Sequence, residues 1–261
     1  MKRLTVVLCA FALPFAGRPE CGVRNAECGV GGASSIVDAG SWDRRASDPF
    51  RTPHSAFRTL HWASLTIGRL HYDGGGDWYT GPSKLPNLLT AIRQRTGLAV
   101  TARERVVTLS SPELWDVPYL YMTGHGNVHF SDEELQTLRR YLEQGGFLHA
   151  DDDYGMDKSF RREIARVFPD HPLVEVPLSH PIYHVVYDFP KGIPKIHEHD
   201  GLPAQGFGIF LGDRLVVYYS YQSDLGDGWE DPEVHHDPPE LHEAALRMGV
   251  NLFTYAVSAL P

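Results

Sequence analysis

Histidine and aspartate side chains, which bind metals and transfer protons, are concentrated in a few short segments of this chain. Asp151-Asp152-Asp153 is a run of three carboxylates, which repel one another unless a cation or hydrogen bonds stabilise them. His197-Glu198-His199 places two imidazoles on one side of an extended segment. Such a pair, together with distant carboxylates, is typical of hydrolytic metal sites. We therefore predict metal ligands at His180, His197 and His199, and catalytic groups at His125, Asp151 and Asp152.

Three interpretations of these residues remain open. In the first, they hold a divalent metal ion (zinc, manganese or iron), and a remaining carboxylate is the general base toward a bound water. In the second, the site contains no metal: Asp152 is the acid or base, and the loop around His125 donates hydrogen bonds to developing negative charge. In the third, the residues are structural. His235-His236 lies in an acidic, proline-containing loop, and we expect it to be exposed to solvent.

Two glycine- and acid-rich loops provide candidate ligand-binding residues. One follows the first predicted strand and the other contains Asp224; the candidates are Gly74, Gly75, Asp77, Trp78 and Asp224. The first loop has neither the G-x-G-x-x-G spacing of dinucleotide-binding folds nor the Gly-Lys-Ser/Thr of a P-loop. Four aromatic residues near these loops could stack on sugar rings or belong to the core: Trp78, Tyr79, Tyr221 and Trp229.

Several chemistries are excluded or disfavoured. All three cysteines lie before residue 30, so the main part of the chain has no thiol nucleophile. No G-x-S-x-G motif is present. The formal net charge is −9 and no basic block occurs, so we expect a small-molecule or carbohydrate partner and no nucleic acid. A two-carboxylate glycosidase would need two acids across a cleft, a separation that a sequence cannot measure.

The segments that must position these residues alternate between strands and helices. Tyr119–Met122 and Phe147–Ala150 are short apolar runs typical of buried parallel strands. Between them, Ser131 and Glu134 form a capping box that begins a helix. In a parallel sheet with helices on both faces, ligands bind at the carboxyl ends of the strands. Both His125 and the three aspartates follow such an end.

The remaining segments complete an α/β domain with a mostly parallel sheet. We predict further strands at 65–72, 98–101, 105–109 and 173–176, helices at 83–96, 112–115, 157–168 and 239–259, and an antiparallel hairpin of 207–211 with 214–221. Asp157 is the expected N-cap of its helix.

The N-terminal region has the pattern of an export signal. Lys2-Arg3 is followed by the apolar run Leu4–Phe15, which is too short to span a membrane. We predict a signal peptide over residues 1–16, a flexible linker over 17–56 and a folded domain over 57–261, with the mature protein periplasmic or secreted and without a transmembrane segment. Cys21 and Cys28 could pair in an oxidising compartment.

Long segments of the chain resemble one bacterial protein family. RLHYDGGGDWYTGPSKLPNLL, GGFLHADDDYGMDKSFRREI, GIPKIHEHDG and YSYQSDLGDGWED are similar to the domain of unknown function DUF4159, and the resemblance extends from Phe57 to about Val257. It implies a three-layer, flavodoxin-like sandwich related to the class I glutamine amidotransferases. In that group a cysteine nucleophile occupies the turn where this chain has its three aspartates, so cysteine-dependent amidotransferase activity is not expected.

Two functions follow as expectations. The first is an exported hydrolase-type enzyme with a polar His/Asp site, with or without a divalent metal, at the carboxyl edge of the sheet. The alternative is a non-catalytic envelope module that binds a carbohydrate or a partner protein in the same cleft.

Overall fold

The structure is a computed structural model of the chain, and it describes residues 65–258. The predicted signal peptide (1–16), the linker (17–56), the three cysteines and the predicted start of the domain at residue 57 lie outside the described residues. These features therefore stay predictions.

A seven-stranded sheet runs through the centre of the domain. Its strands are β1 (Ile67–Leu70), β2 (Arg105–Val107), β3 (Tyr119–Gly124), β4 (Phe147–Asp152), β5 (Val174–Glu175), β6 (Gln205–Leu211) and β7 (Arg214–Tyr221). Their spatial order is β2-β1-β3-β4-β7-β6-β5. In this order, each neighbouring pair among β2, β1, β3, β4 and β7 is parallel, whereas β6 is antiparallel to both β7 and β5. The predicted mostly parallel sheet with an antiparallel edge is confirmed.

Helices cover both faces of the sheet. They are α1 (Lys84–Thr96), α2 (Asp132–Glu143), α3 (Asp157–Val167), the single turn α4 (Pro232–His235) and α5 (Pro239–Ser258). Leu88 of α1 and Leu252 of α5 are buried in the core on one face, and Leu138 of α2 and Phe160 of α3 in the core on the other. The fold is therefore a three-layer α/β sandwich, as expected. Within residues 65–258, no helix combines the length and apolarity needed to cross a membrane.

The local signals at helix starts are correct in one case and wrong in another. The Ser131 hydroxyl accepts a hydrogen bond from the Glu134 amide at 3.2 Å, and the Glu134 carboxylate accepts one from the Ser131 amide at 2.8 Å, which completes the capping box. Asp157 does not cap α3, because it is the first residue of the helix and Met156 occupies the N-cap position. The Asp157 carboxylate instead pairs with Arg161 at 2.6 Å and accepts a hydrogen bond from Tyr219 at 3.0 Å.

Strand β4 continues two residues beyond its predicted end and carries Asp151 and Asp152 into the sheet. Asp152 pairs with Gly124 of β3, and Asp151 lies between Thr123 of β3 and Ser220 of β7. Both aspartates are buried. Successive residues of a strand point to opposite faces, so these two carboxylates serve different sides of the sheet.

A polar network crosses the centre of the sheet. His149 of β4 is fully buried; its Nδ1 lies 2.9 Å from the Tyr119 hydroxyl, and its Nε2 lies 2.8 Å from the Ser220 hydroxyl. Burial lowers the pKa of His149 from 6.5 to about 3, so the imidazole is neutral in the folded protein.

The neutral imidazole predicts a specific loss of stability in acid. Between pH 6.5 and pH 3 the unfolded chain binds a proton that the folded chain does not, so stability falls as the pH falls. From pH 7 to pH 5 this one group removes about 2 kcal/mol of unfolding free energy. We expect His149→Gln to be less stable at pH 7 but to lose about 2 kcal/mol less on going to pH 5, measured by urea unfolding. Equal losses in the two proteins would contradict this role.

Candidate functional site

Four parallel strands, β1, β3, β4 and β7, end at one edge of the sheet, and the loops after them carry most of the polar residues singled out from the sequence. Asp77 follows β1, His125 follows β3, Asp153 follows β4, and Asp224 follows β7. The segment with His197 joins this edge because the Ile196 amide donates to the Ser223 carbonyl at 2.8 Å.

Asp151 fixes the loop after β7 to the end of β4. Its carboxylate accepts hydrogen bonds from the Tyr121 hydroxyl at 3.0 Å and from the amides of Leu225 and Gly226 at 3.3 and 2.6 Å, and a further one from the Ser220 hydroxyl. Only glycine fits at position 226, because a Cβ there would lie 2.1 Å from the Tyr121 oxygen. Burial raises the pKa of Asp151 to about 8. With four donors around it, this carboxylate has an anchoring role.

Lys84 supplies a buried positive charge to this edge. Its side chain is fully buried, and its Nζ lies 2.7 Å from Asp153, 2.6 Å from Asp227 and 3.9 Å from Glu230. Burial alone would lower the pKa of Lys84, but the charges of Asp153 and Asp227 outweigh it and raise the pKa above its usual value. The lysine is therefore charged and connects α1 to the loops after β4 and β7.

Two buried carboxylates at this edge are only partly satisfied. Asp153 Oδ1 and Asp224 Oδ1 have no hydrogen-bond partner among the described residues, although both aspartates are only 2% exposed. Burial raises the pKa of Asp153. Buried polar atoms are almost always paired, so these two carboxylate oxygens at neighbouring strand ends could accept hydrogen bonds or bind a cation.

His197 lies among three carboxylates. Its Nδ1 is 3.3 Å from Asp224 Oδ2 and 3.3 Å from Asp227 Oδ2, and its Nε2 is 3.1 Å from Asp237 Oδ1. Hydrogen bonds with Asp224 and Asp227 raise the pKa of His197 to about 10. Burial would raise the pKa of Asp227, but His197 and Lys84 outweigh it and lower that pKa. A proton on His197 thus lies between the carboxylates of Asp224 and Asp227.

His235 completes a group that could hold a metal ion. Its Nε2 lies 3.3 Å from Glu230 Oε1 and 3.8 Å from Asp227 Oδ2. One donor atom from each of His197, Asp227 and His235 can be chosen so that all lie within 4.8 Å of one another. Ligand atoms that share one tetrahedral metal at about 2.0–2.1 Å lie about 3.3 Å apart, so these side chains would have to move closer together, by up to about 1.5 Å, to bind one ion.

His199 lies beside this group and contacts it through Asp224. Its Nε2 makes a close contact with Asp224 Oδ2, the same oxygen that faces His197. The His199 ring stacks on Tyr154, with ring centroids 4.4 Å apart. The structure therefore brings His197, His199 and Asp224 together.

Asp152 lies on the opposite face of β4 from Asp151. Its carboxyl group is close enough to Asp224 for the charge of that residue to affect its pKa. Its Oδ1 accepts a hydrogen bond from the Met156 amide at 3.3 Å. Burial raises the pKa of Asp152 to about 6, and the charges of Asp157 and Asp224 add to this effect. A carboxyl group that titrates near neutral pH can exchange protons with a substrate or with water.

His125 belongs to a different part of the same edge. Its imidazole is 57% exposed and its Nδ1 lies 3.0 Å from Asp77 Oδ2, while its amide donates to Asp77 Oδ1. Burial would raise the pKa of Asp77, but the bonds from His125 outweigh it and lower that pKa. Among the described residues, no contact connects His125 to His197 or His235. Asp77 thus ties the loops after β1 and β3 together, next to Gly74 and Gly75.

His180 is not part of this group. Its ring packs against Phe210 and Tyr255, and its Nδ1 accepts a hydrogen bond from the Ile182 amide at 3.2 Å. The Tyr255 hydroxyl bonds to Leu215 at the start of β7, which places this histidine toward the amino edge of the sheet. Burial lowers the pKa of His180.

The four aromatic residues considered for stacking differ in their surroundings. Trp229 is fully buried and its indole nitrogen donates to the Ala245 carbonyl at 2.8 Å, so it belongs to the core. Tyr221 packs beside Arg161, Trp78 stacks on His71, and Tyr79 is 66% exposed.

Sequence reasoning did not single out Lys84, Asp227, His235 or Asp237 as site residues. The expected exposure of His235 and His236 is confirmed. One signal for Lys84 was present: Lys84, Leu88 and Ile92 recur every four residues, so the lysine shares the apolar face of α1. His235 and Asp237 gave no such signal, because only the folded chain brings them to His197.

Removal of the Lys84 charge should strongly destabilise the domain. Lys84→Met leaves the carboxylates of Asp153 and Asp227 without their cation, and breaking a buried pair of this kind costs about 3–5 kcal/mol. Lys158→Met, at an exposed lysine on α3, is the matched control and should change stability by less than about 0.5 kcal/mol. Urea unfolding measures both variants. A Lys84→Met protein as stable as the control would show that the buried charge is not needed.

Comparison with known proteins identifies the family. A family described as a domain of unknown function (DUF4159) matches residues 66–257, which include every strand and all but the last residue of α5. No curated protein matches the chain. Because the match extends over most of the sequence and over the whole candidate site, the chain belongs to the DUF4159 family.

Proposed function

We propose that the protein is a metal-dependent hydrolase that binds one divalent ion through His197, Asp227 and His235. The observation that carries this proposal is the position of His197 Nδ1, 3.3 Å from an oxygen of Asp227 and 3.3 Å from an oxygen of Asp224. These separations match those of ligands on one tetrahedral metal.

The donor set favours a transition metal of the zinc type. Imidazole and carboxylate ligands without sulfur suit zinc, iron and manganese, and the two imidazoles favour zinc over magnesium or calcium. Asp224 is the fourth candidate ligand, because it faces both His197 and His199 and one of its oxygens has no partner. His180, which the sequence suggested as a ligand, is not included in this proposal because of its distant position.

Neighbouring residues are placed to orient these ligands. Asp237 accepts from His197 Nε2 at 3.1 Å, which directs Nδ1 toward the metal position. Lys84 holds Asp227 Oδ1 at 2.6 Å and leaves Oδ2 facing His197 and His235. Metal sites commonly have such outer partners, and they fix both the tautomer and the direction of each ligand.

The proposed ion and the protein side chains would have different roles in the reaction. A bound zinc ion would polarise a carbonyl or lower the pKa of a water molecule. Asp152, with a pKa of about 6, would act as the general base toward a water molecule. Asp151 remains in its anchoring role. Export through the pattern at residues 1–16 is part of the proposal, and an oxidising, metal-accessible compartment would suit a site without cysteine.

Metal binding can be tested on the full chain, purified without chelator or histidine tag. We expect close to one zinc ion per chain, and a loss of at least tenfold in affinity in His197→Ala and in His235→Ala, because each loses one of three proposed ligands. His180→Ala is the matched control and should retain the metal. Elemental analysis and calorimetric titration with zinc measure both quantities.

The same experiment separates the alternatives. Loss of zinc in His180→Ala, or unchanged zinc in both His197→Ala and His235→Ala, would contradict the proposed ligands. Stoichiometric metal without turnover on ester, amide and glycoside panels would favour the non-catalytic binding module.

The proposed base predicts the pH dependence of turnover. Asp152 must be ionised to accept a proton, so the rate should fall as the pH falls through about 6. Asp152→Asn should lower kcat by about 10²-fold or more, with zinc content unchanged. A pH profile recorded on any substrate found in the panel, with wild-type and variant proteins, checks this. If the rate of Asp152→Asn falls with decreasing pH as the wild-type rate does, another residue is the general base.

A further inference from the structure

Tyr154 has a backbone conformation that bulky residues rarely adopt. Its φ angle is +67°, and the described part of the chain contains only three other non-glycine residues with positive φ: Gln222, Asp224 and His236. Such a conformation costs about 1–3 kcal/mol at each residue and persists only where the surroundings hold it. Tyr154, Gln222 and Asp224 all follow the adjacent strands β4 and β7, so the strain is concentrated at the candidate site.

Specific contacts hold the Tyr154 side chain in place. Its hydroxyl donates to Asp200 Oδ1 at 2.9 Å, and Asp200 Oδ2 accepts a hydrogen bond from the side-chain nitrogen Nε2 of Gln222 at 3.2 Å. One face of its ring stacks on His199, with an interplanar angle of 19°. Tyr154 nevertheless stays 43% exposed. The chain therefore fixes an aromatic ring at the surface beside the proposed metal ligands, where neither core packing nor helix formation requires it.

The chain that follows Tyr154 is uncovered backbone, and it meets two other glycine loops. Gly75, Gly126 and Gly155 come from the loops after β1, β3 and β4, and all three have positive φ angles and are exposed. A Cβ on Gly75 would meet no atom within 4 Å, one on Gly126 would come no closer than 3.8 Å to any atom, and one on Gly155 would lie 3.7 Å from the Gly126 nitrogen. The three loops thus meet without intervening side chains, and a ligand could approach their peptide groups directly.

The charges around Tyr154 indicate the class of ligand. The charged groups that act on its phenol are the carboxylates of Asp200 and Asp152, and Asp224 lies behind the stacked His199. Carboxylates repel anionic ligands and accept hydrogen bonds from hydroxyl groups. An exposed aromatic face, open peptide groups and carboxylate acceptors together suit the apolar faces and hydroxyls of a neutral sugar.

We propose that Tyr154 and the three glycine loops form a binding surface for a neutral carbohydrate, with Tyr154 as the stacking residue. This proposal deepens the proposed function. The stacking surface itself does not depend on that function, whereas the assignment of the sugar as substrate of a metal-dependent hydrolase does. The strain at Tyr154 is then explained by the need to present its ring, and the substrate class of the hydrolase becomes a neutral glycan or one of its esters.

Calorimetric titration of the full chain with defined hexasaccharides tests the proposal. The probes are cellohexaose, maltohexaose and chitohexaose, with hexagalacturonate as the anionic counterpart, and both zinc-loaded and metal-free protein are used. We expect at least one neutral hexasaccharide to bind, and hexagalacturonate to bind at least tenfold more weakly. Tyr154→Ala should weaken binding about tenfold, whereas Tyr154→Phe, which keeps the ring, should stay within about threefold.

Val106→Ala is the control, because Val106 is an exposed apolar residue of β2, 53% accessible, and lies outside the three loops. It should change affinity less than twofold. A thermal unfolding midpoint for each variant confirms that it is folded. Absence of binding to every neutral hexasaccharide, or equal binding by wild type and Tyr154→Ala, would overturn the proposal. Saccharide binding by a protein that takes up no zinc would instead reject the metal-dependent hydrolase and leave this surface in place.

Discussion

The structure depends on a buried balance of charge at the carboxyl edge of its sheet. Strand β4 and the loop after β7 bring several carboxylates out of water, and a buried charge is tolerated only when it is paired. Lys84 supplies one positive charge from α1, within 2.7 Å of Asp153 and 2.6 Å of Asp227. Asp151 is satisfied in another way, by two hydroxyls and two peptide amides. These contacts fix the loops that carry the candidate site.

Lys84 does not offset all of the negative charge at this edge of the sheet. Even with Lys84 and the donors to Asp151 in place, four carboxylates surround His197 and His235: Asp224, Asp227, Glu230 and Asp237. Among the described residues, one oxygen of Asp153 and one of Asp224 also have no hydrogen-bond partner. A protonated His197 offsets part of this negative charge in the metal-free protein. A divalent ion would offset more of it, with the same side chains as ligands. The backbone strain at Gln222 and Asp224 lies in the same place, as expected where function and not stability determines the conformation.

The sequence was sufficient for most of the fold. Periodicity, the Ser131 capping box and the glycine stops are local signals, and they predicted the seven strands and the four longer helices. The predicted strand at 98–101 is wrong, because Val100 makes only an isolated bridge to Leu65. The proposed metal ligands could not be predicted from local signals. His197, Asp227 and His235 come from three separate segments, and the path of irregular loops brings them together. His180 and His197 looked equivalent along the chain, yet the fold separates them, since His180 packs with Phe210 and Tyr255 away from the acids.

The central claim is that His197, Asp227 and His235 bind one metal ion, and the zinc K-edge X-ray absorption spectrum of the full chain, purified without chelator, tests it most directly. The account predicts near-stoichiometric zinc with four or five nitrogen and oxygen ligands at about 2.0–2.1 Å, no sulfur, and the outer-shell scattering of two imidazoles. Replacement of His235 by alanine should remove one imidazole from that pattern. A protein without zinc after reconstitution, or zinc surrounded only by water oxygens, would contradict the account.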